Sequence, residues 1–174
     1  RGWTWQPSEN RPDGRASSRA VEITAHGRAV AELYPEVRTV FEIGGQDSKI
    51  ILIKYGYVRD FAMNTVCAAG TGSFLDRQAE RMGIKTSDIG ELALRADMPA
   101  SIAGRCAVFA ESDIIHKQQM GVSMENILAG MCRALVRNYM SNVAKGKKLE
   151  PGFCFQGGVS CNGGIKKAFE EEIG

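Results

Sequence analysis

Several features that would assign a chain to a specialised class are missing here. No apolar run approaches the roughly 20 residues needed to cross a bilayer. No basic start, apolar stretch and small-residue cleavage site mark a leader. A cytoplasmic protein with no membrane partner is therefore expected. Charge of one sign is also lacking, since 22 Lys and Arg against 20 Asp and Glu leave +2. No basic stripe is interleaved with aromatics, so nucleic acid is not an expected partner. Cysteines are few, odd in number and scattered: Cys67, Cys106, Cys132, Cys154 and Cys161. With no CxxC pair among them, neither a disulfide framework nor a self-contained zinc or four-cysteine site is expected within one chain. Internal repeats and low-complexity tracts are absent too. The two histidines, His26 and His116, attract no role.

What is present is ordinary for a globular protein of 174 residues, with 44% hydrophobic and 24% charged residues. That length supports one hydrophobic core. Residues 1–15 are polar, carry two prolines and read as a loop; 1–19 form an irregular leading segment and 20–174 the folded domain. Helical spacing of Ala20, Ile23, Val30 and Leu33 predicts a helix over 16–33 closed by Pro35. Strands are predicted at 39–43, 49–54 and near 58–63, joined by Gly44-Gly45 and Tyr55-Gly56, which makes an antiparallel meander. Helices follow at 74–82, at 87–96 with Ser87 as N-cap, at 108–120 and at 124–143. The last carries an apolar stripe of Ile127, Leu128, Met131, Leu135, Tyr139 and Val143. A short buried strand at 152–156, a Gly157-Gly158 turn and a helix at 164–173 close the chain.

Four stretches carry residue types that can do chemistry. In Phe41-Glu42-Ile43-Gly44-Gly45-Gln46-Asp47-Ser48-Lys49, paired glycines between strands let phosphate oxygens approach backbone N–H groups, because glycine has no Cβ. Gln46 and Asp47 are then placed to orient water or a metal ion near a terminal phosphate. In Phe153 to Gly164, a hydrophobic strand runs into Gly157-Gly158 and a helix start, where backbone can close on a flat base or a phosphate. In Asn64 to Leu75, Cys67 precedes Gly70-Thr71-Gly72 and a helix, whose dipole favours a thiolate or an anionic group. In Ser101 to Asp113, Cys106 likewise precedes a helix, with Arg105 and Glu111 nearby. Each stretch alone also reads as plain structure: a hairpin with a surface Asp, a packing turn, a buried cysteine, or a helix with acidic residues near its start.

Together and in this order, Gly44 to Lys49, Asn64 with Cys67 to Gly72, Cys106 to Ser112, and Gly157-Gly158-Val159 with Asn162 resemble the BadF/BadG/BcrA/BcrD-type ATPases. These are the activators of 2-hydroxyacyl-CoA dehydratases and the ATP-binding subunits of benzoyl-CoA reductases. Glu22 to Gly27 also looks like the family's segment before its phosphate hairpin, so the resemblance covers about 20–174. It implies an α/β, actin/hexokinase/Hsp70-like (ribonuclease H-like) ATPase fold, here partial and lacking most of the first lobe. It implies ATP with Mg2+, and one 4Fe–4S cluster per dimer ligated by Cys67 and Cys106 of each chain. Gly44, Gly45, Gln46, Asp47 and Lys49 would face the phosphates, with Gln46 and Asp47 as the catalytic pair. Gly70, Thr71 and Gly72 would line the phosphate site. Gly157, Gly158 and Asn162 would approach the adenosine, and Glu111 would take the ribose hydroxyls. The implied partners are a dehydratase or reductase catalytic component, and reduced ferredoxin or flavodoxin as electron donor. Cys132, Cys154 and Cys161 are expected to pack rather than ligate.

The chain departs from the family before Glu22, where its first phosphate motif is not found. The missing motif and the start at Arg1 fit either a fragment of a longer protein or a reduced form that has lost catalysis, and poor ATP turnover by this chain alone is expected. Two other functions use the same glycine turns: a sugar- or acetate-kinase-like phosphotransferase, and a non-catalytic regulatory or partner module. The first gives no reason for cysteines at two helix starts, so iron content separates it from the activator reading; ATPase activity that rises with a dehydratase partner would dismiss the second.

Overall fold

A computed structural model describes residues 3–5, 19–64 and 68–174. Cys67 lies outside the described residues, as does most of the leading segment. The sheet has five strands in the order β1-β5-β2-β3-β4, with β1 at Trp3–Trp5, β2 at Thr39–Ile43, β3 at Ser48–Lys54, β4 at Tyr57–Asn64 and β5 at Phe153–Gln156. The meander is as expected, for β3 pairs antiparallel with both β2 and β4. β5 runs parallel to β2 and, on its other side, to β1. The strand at Trp3–Trp5 lies in the segment that reads as a loop. Three residues carry no usable period, and their partner is at the far end of the chain.

Strand alternation sorts the sheet into two unequal faces. Phe41, Ile43, Ile50 and Phe155 point into a large core with the helices α2 (Gly72–Met82), α3 (Ile89–Leu94), α4 (Ala107–Gln119), α5 (Met124–Asn142) and α6 (Gly163–Ile173). Aromatic rings anchor this core: Phe41 lies 5.1 Å from Phe169 and 5.9 Å from Tyr139, and Phe155 lies 5.0 Å from Phe169. The predicted stripe on α5 is buried throughout. Val40, Ile51, Ile53 and Cys154 face the other way, toward Ile23 and Val30 of α1 (Arg19–Leu33) in a much smaller cluster.

The helix predicted to start at Ser87 is shorter and starts later. A 3-10 turn at Thr86–Asp88 precedes α3, whose N-cap is Asp88 without a side-chain cap. Ser87 Oγ donates to Asp88 Oδ1 at 2.9 Å and so is not the cap. At two other helix starts polar side chains do cap. Ser123 Oγ accepts from Asn126 N at the start of α5, and Asn162 Oδ1 accepts from Ile165 N at the start of α6.

Candidate functional site

The carboxyl ends of the parallel strands β2 and β5 lie side by side, and each runs into a glycine pair. This is where open α/β sheets form their crevices. Gly44-Gly45 follows β2 and Gly157-Gly158 follows β5. Gly157 has φ +93°, and a Cβ there would sit 2.3 Å from Ile43 O, so only glycine lets the two strand ends close together. A third glycine segment joins them. Gly72 N donates to Gly44 O at 2.8 Å and Ser73 N donates to Gly45 O at 2.7 Å. The first amides of α2 thus clamp the β2–β3 turn. A Cβ on Gly72 would lie 3.1 Å from both Gly44 O and Val159 Cγ2.

These segments border a cleft of about 470 Å³ lined by Gly45, Gly72, Asp76, Thr86, Gly158 and Asn162 among others. That volume suits a small organic ligand. Of the expected nucleotide residues, Gly45, Gly72, Gly158 and Asn162 line this cleft, Gly44 is bonded to Gly72 and Gly157 packs on Ile43, whereas Gly70 and Thr71 are not among its lining. Gln46 is exposed at the tip of the turn. Glu111 is not among the cleft residues; it is ion-paired with Arg81 and accepts from Gln78 Nε2, between α2 and α4. The carboxylate in the cleft belongs to Asp76, one helical turn beyond Gly72, where it accepts from Thr86 Oγ1 at 2.9 Å. Cys161, expected to pack, is exposed and lines the cleft as well.

Beneath the β2–β3 turn lies a polar cluster on the α1 face. Glu42 and Lys49 are cross-strand partners with the same parity as Val40 and Ile51, so both point toward α1. Lys49 Nζ is buried and surrounded by three carboxylates: Glu42 at 3.0 Å, Asp47 at 3.2 Å and Glu22 at 3.4 Å. Burial alone would lower the Lys49 pKa, but Glu42 and Asp47 more than offset it and hold the ammonium above its usual range. Burial pushes the Glu42 carboxyl up against the pull of Lys49. Lys49, expected to face phosphate, is instead committed to anchoring Glu42 and Asp47. Nearby, Gln156 Nε2 lies 2.6 Å from His26 Nδ1. Glu22 and His26, four residues apart on α1, thereby reach the strands that lead into both glycine turns. Their i,i+4 spacing was visible in the sequence; their partners were not.

Cys106 is the N-cap residue of α4, with extended backbone at φ −149° and ψ 143°, and is half-buried. Val108 and Phe109, two and three residues after it, are 67% and 65% exposed, an apolar surface near the start of α4. Cys132 and Cys154 are buried, which pushes their pKa values to about 12 and about 11 and keeps both protonated. Among the described residues no helix is long and apolar enough to cross a membrane.

Comparison with known proteins gives this geometry a context. The model of the BadF/BadG/BcrA/BcrD ATPase family matches residues 8–174, beginning earlier than the motifs alone suggest. The (R)-2-hydroxyglutaryl-CoA dehydratase activating ATPase of Acidaminococcus fermentans is 36% identical over 165 residues, covering 95% of this chain and 63% of that protein. A benzoyl-CoA reductase subunit of Thauera aromatica is 33% identical over 153 residues, covering 87% of this chain and 54% of that one. The solved activator of the 2-hydroxyisocaproyl-CoA dehydratase from Clostridium difficile, with bound ADPNP, superposes with a TM-score of 0.81 at 35% identity. It is matched over 87% of this chain and 57% of its own. The chain thus spans a little over half to about three-fifths of the length of these relatives. The fold is the actin/hexokinase-like ATPase fold expected from the sequence.

Proposed function

The chain belongs to the BadF/BadG/BcrA/BcrD ATPase family, and from that premise we propose that it is the nucleotide-binding, cysteine-bearing part of a reductive activator. In this role ATP drives single-electron transfer from a 4Fe–4S cluster, held between two chains, to a 2-hydroxyacyl-CoA dehydratase or benzoyl-CoA reductase component. Reduced ferredoxin or flavodoxin is the electron donor. The observation that carries the reading is the closure of three glycine segments on one cleft at the ends of β2 and β5, with Cys106 starting a separate helix.

The chain's own residues divide the work. The Gly44-Gly45 turn admits the phosphates, Gln46 orients the attacking water, and Asp47, steadied by Lys49, faces Mg2+. Gly157-Gly158 and Asn162 border the adenosine. Asp76 takes the ribose hydroxyls in place of Glu111, because a carboxylate supplies two acceptors for a pair of hydroxyl donors. Cys106 fits the cluster: its thiol is accessible, and the α4 N-terminus favours an anionic group. Cys106 and Cys67 of each of two chains would hold the cluster, which supplies a one-electron couple when bound. Val108 and Phe109 give the surrounding surface the apolar character that a contact between chains needs.

The test is iron and acid-labile sulfide on anaerobically reconstituted protein, with nucleotide binding measured in parallel. The expected result is one cluster per two chains, lost in Cys106→Ser while ATP still binds. ATP binding without iron would overturn the activator reading in favour of a phosphotransferase-like one. Iron without ATP binding would overturn the cleft assignment.

A further inference from the structure

Three consecutive residues of α5 reach two segments that are distant in sequence, the loop before Cys106 and the phosphate hairpin. Arg137 Nη2 donates to Ile102 O at 2.9 Å. Asn138 Nδ2 donates to Arg105 O at 3.1 Å, one residue before Cys106. Tyr139 Oη donates to Lys49 O at 2.6 Å, within the hairpin that carries Gly44-Gly45. Asn138 also faces the segment after Cys67, since its Oδ1 would lie 3.0 Å from a Cβ placed on Gly70. Among the described residues that buried oxygen has no hydrogen-bond partner, and Ser48 Oγ, 3.9 Å from the same point, is in the same condition. Buried polar atoms without partners mark places where the fold accepts a cost.

From this we infer that Asn138 and Tyr139 are positioning residues that couple the phosphate hairpin to the loop bearing Cys106. The inference rests on the proposed function for its purpose, though not for its geometry. Tyr139 is buried, and its ring meets Phe41 and Phe169 edge-on, which holds its hydroxyl against the hairpin. A displacement of the hairpin at Lys49 is therefore passed to α5 as a whole. Asn138 and Arg137, on the same turn, carry it to Arg105 and Ile102. The hairpin also reaches α2 through Gly44 O, and α2 meets α4 at Glu111, but the hydrogen bonds that reach the loop before Cys106 itself come from these α5 side chains. A rigid helix bonded to both sites is the kind of element through which two sites bias one another.

The experiment perturbs one end and reads the other in the 174-residue chain, without cluster or nucleotide. Tyr139→Phe removes only the hydroxyl at the hairpin, and the alkylation rate of Cys106 is followed by peptide-resolved mass spectrometry. Asn138→Asp disturbs the cysteine loop and the buried contact near Gly70 and Ser48, so amide exchange is followed across 44–47, clear of Ser48. Arg137→Met is a milder second variant for the same readout, in case Asn138→Asp fails to fold. The expected cross-effects are about fivefold or more, the low end of ordinary site-to-site coupling. Variants that fold cooperatively and alter only their own loop would overturn the inference. Failure of ATP to bind, with the cross-effects intact, would count against the proposed function and leave the coupling standing.

Discussion

The two faces of the sheet are built on different principles. The face toward α2–α6 is thick, and a cluster of rings from Phe41, Tyr139, Phe155 and Phe169 packs at its centre. The face toward α1 buries a handful of aliphatic residues, and near the strand ends it is polar: Glu42, Lys49 and Gln156 meet Glu22 and His26. One face holds its shape through volume, the other through charges whose balance depends on every partner. The cleft lies at the rim between them, so its floor is fixed by the thick face and its polar underside by the thin one.

The largest effect is expected on the thick face. Phe169→Ala should cost about 3–5 kcal/mol in denaturant unfolding, since several rings close on the vacated space. A cost as small as a surface substitution would mean that the ring cluster is not the structural centre. Next comes the thin face. Lys49→Met strands the buried Glu42 carboxylate and should cost about 3 kcal/mol, whereas adding Glu42→Leu should restore most of it. Failure of the second change to help would show that Asp47 and Glu22, not Glu42, set the value of the ammonium.

One buried thiol on each face gives a finer comparison. Cys132 sits in the helical core and Cys154 on the α1 face, with pKa values raised from 9.0 to about 12 and about 11. A raised value means that the folded state holds the proton more tightly. The stabilisation is therefore complete below pH 9 and is lost as pH climbs through the folded-state values. Each thiol should contribute a slope of at most about 1.4 kcal/mol per pH unit above pH 9. The Cys154 contribution should level off first. Stability curves of Cys132→Ala and Cys154→Ala against pH would separate the two, and equal curves would erase the distinction between faces. The smallest stability change belongs to the rim. No atom lies within 4 Å of a Cβ on Gly45, so Gly45→Ala should shift stability by about 0.5 kcal/mol or less. ATP affinity should nevertheless fall about tenfold or more, because the methyl occupies the path of the phosphates. Unchanged affinity would reduce this glycine to a turn former.

How much of this could be read from the residues follows the range of the interactions involved. β2 came out with its observed bounds, and the α5 stripe is buried as its 3.6-residue period requires, because both signals are local. The glycine segments could be named as a set because each punctuates a strand or a helix. What escaped depends on pairing across the chain. β1 is a strand only because β5 offers an edge. Lys49 looked like a phosphate ligand until parity and the approach of α1 gave it three carboxylates. Glu111 and Asp76 were equally acidic in sequence, and only the packing of α2 against the following turn put Asp76 in the cleft. Asn138 and Tyr139 sit within an ordinary apolar helix whose period says nothing of what their polar atoms reach.

The edge strand β1 has a consequence for the protein as a material. The Phe153-Cys154-Phe155 run of β5 combines high strand propensity with no charge, and among the described residues the three of β1 pair with its outer side. On the opposite edge, β4 exposes Arg59 and Asp60, side chains that discourage a foreign strand from adding. Growth of the sheet is therefore guarded at one end and lightly closed at the other. Wherever the outer side of β5 is bared, it offers a template to another chain, and the shelf life of a concentrated solution becomes a property of that one seam.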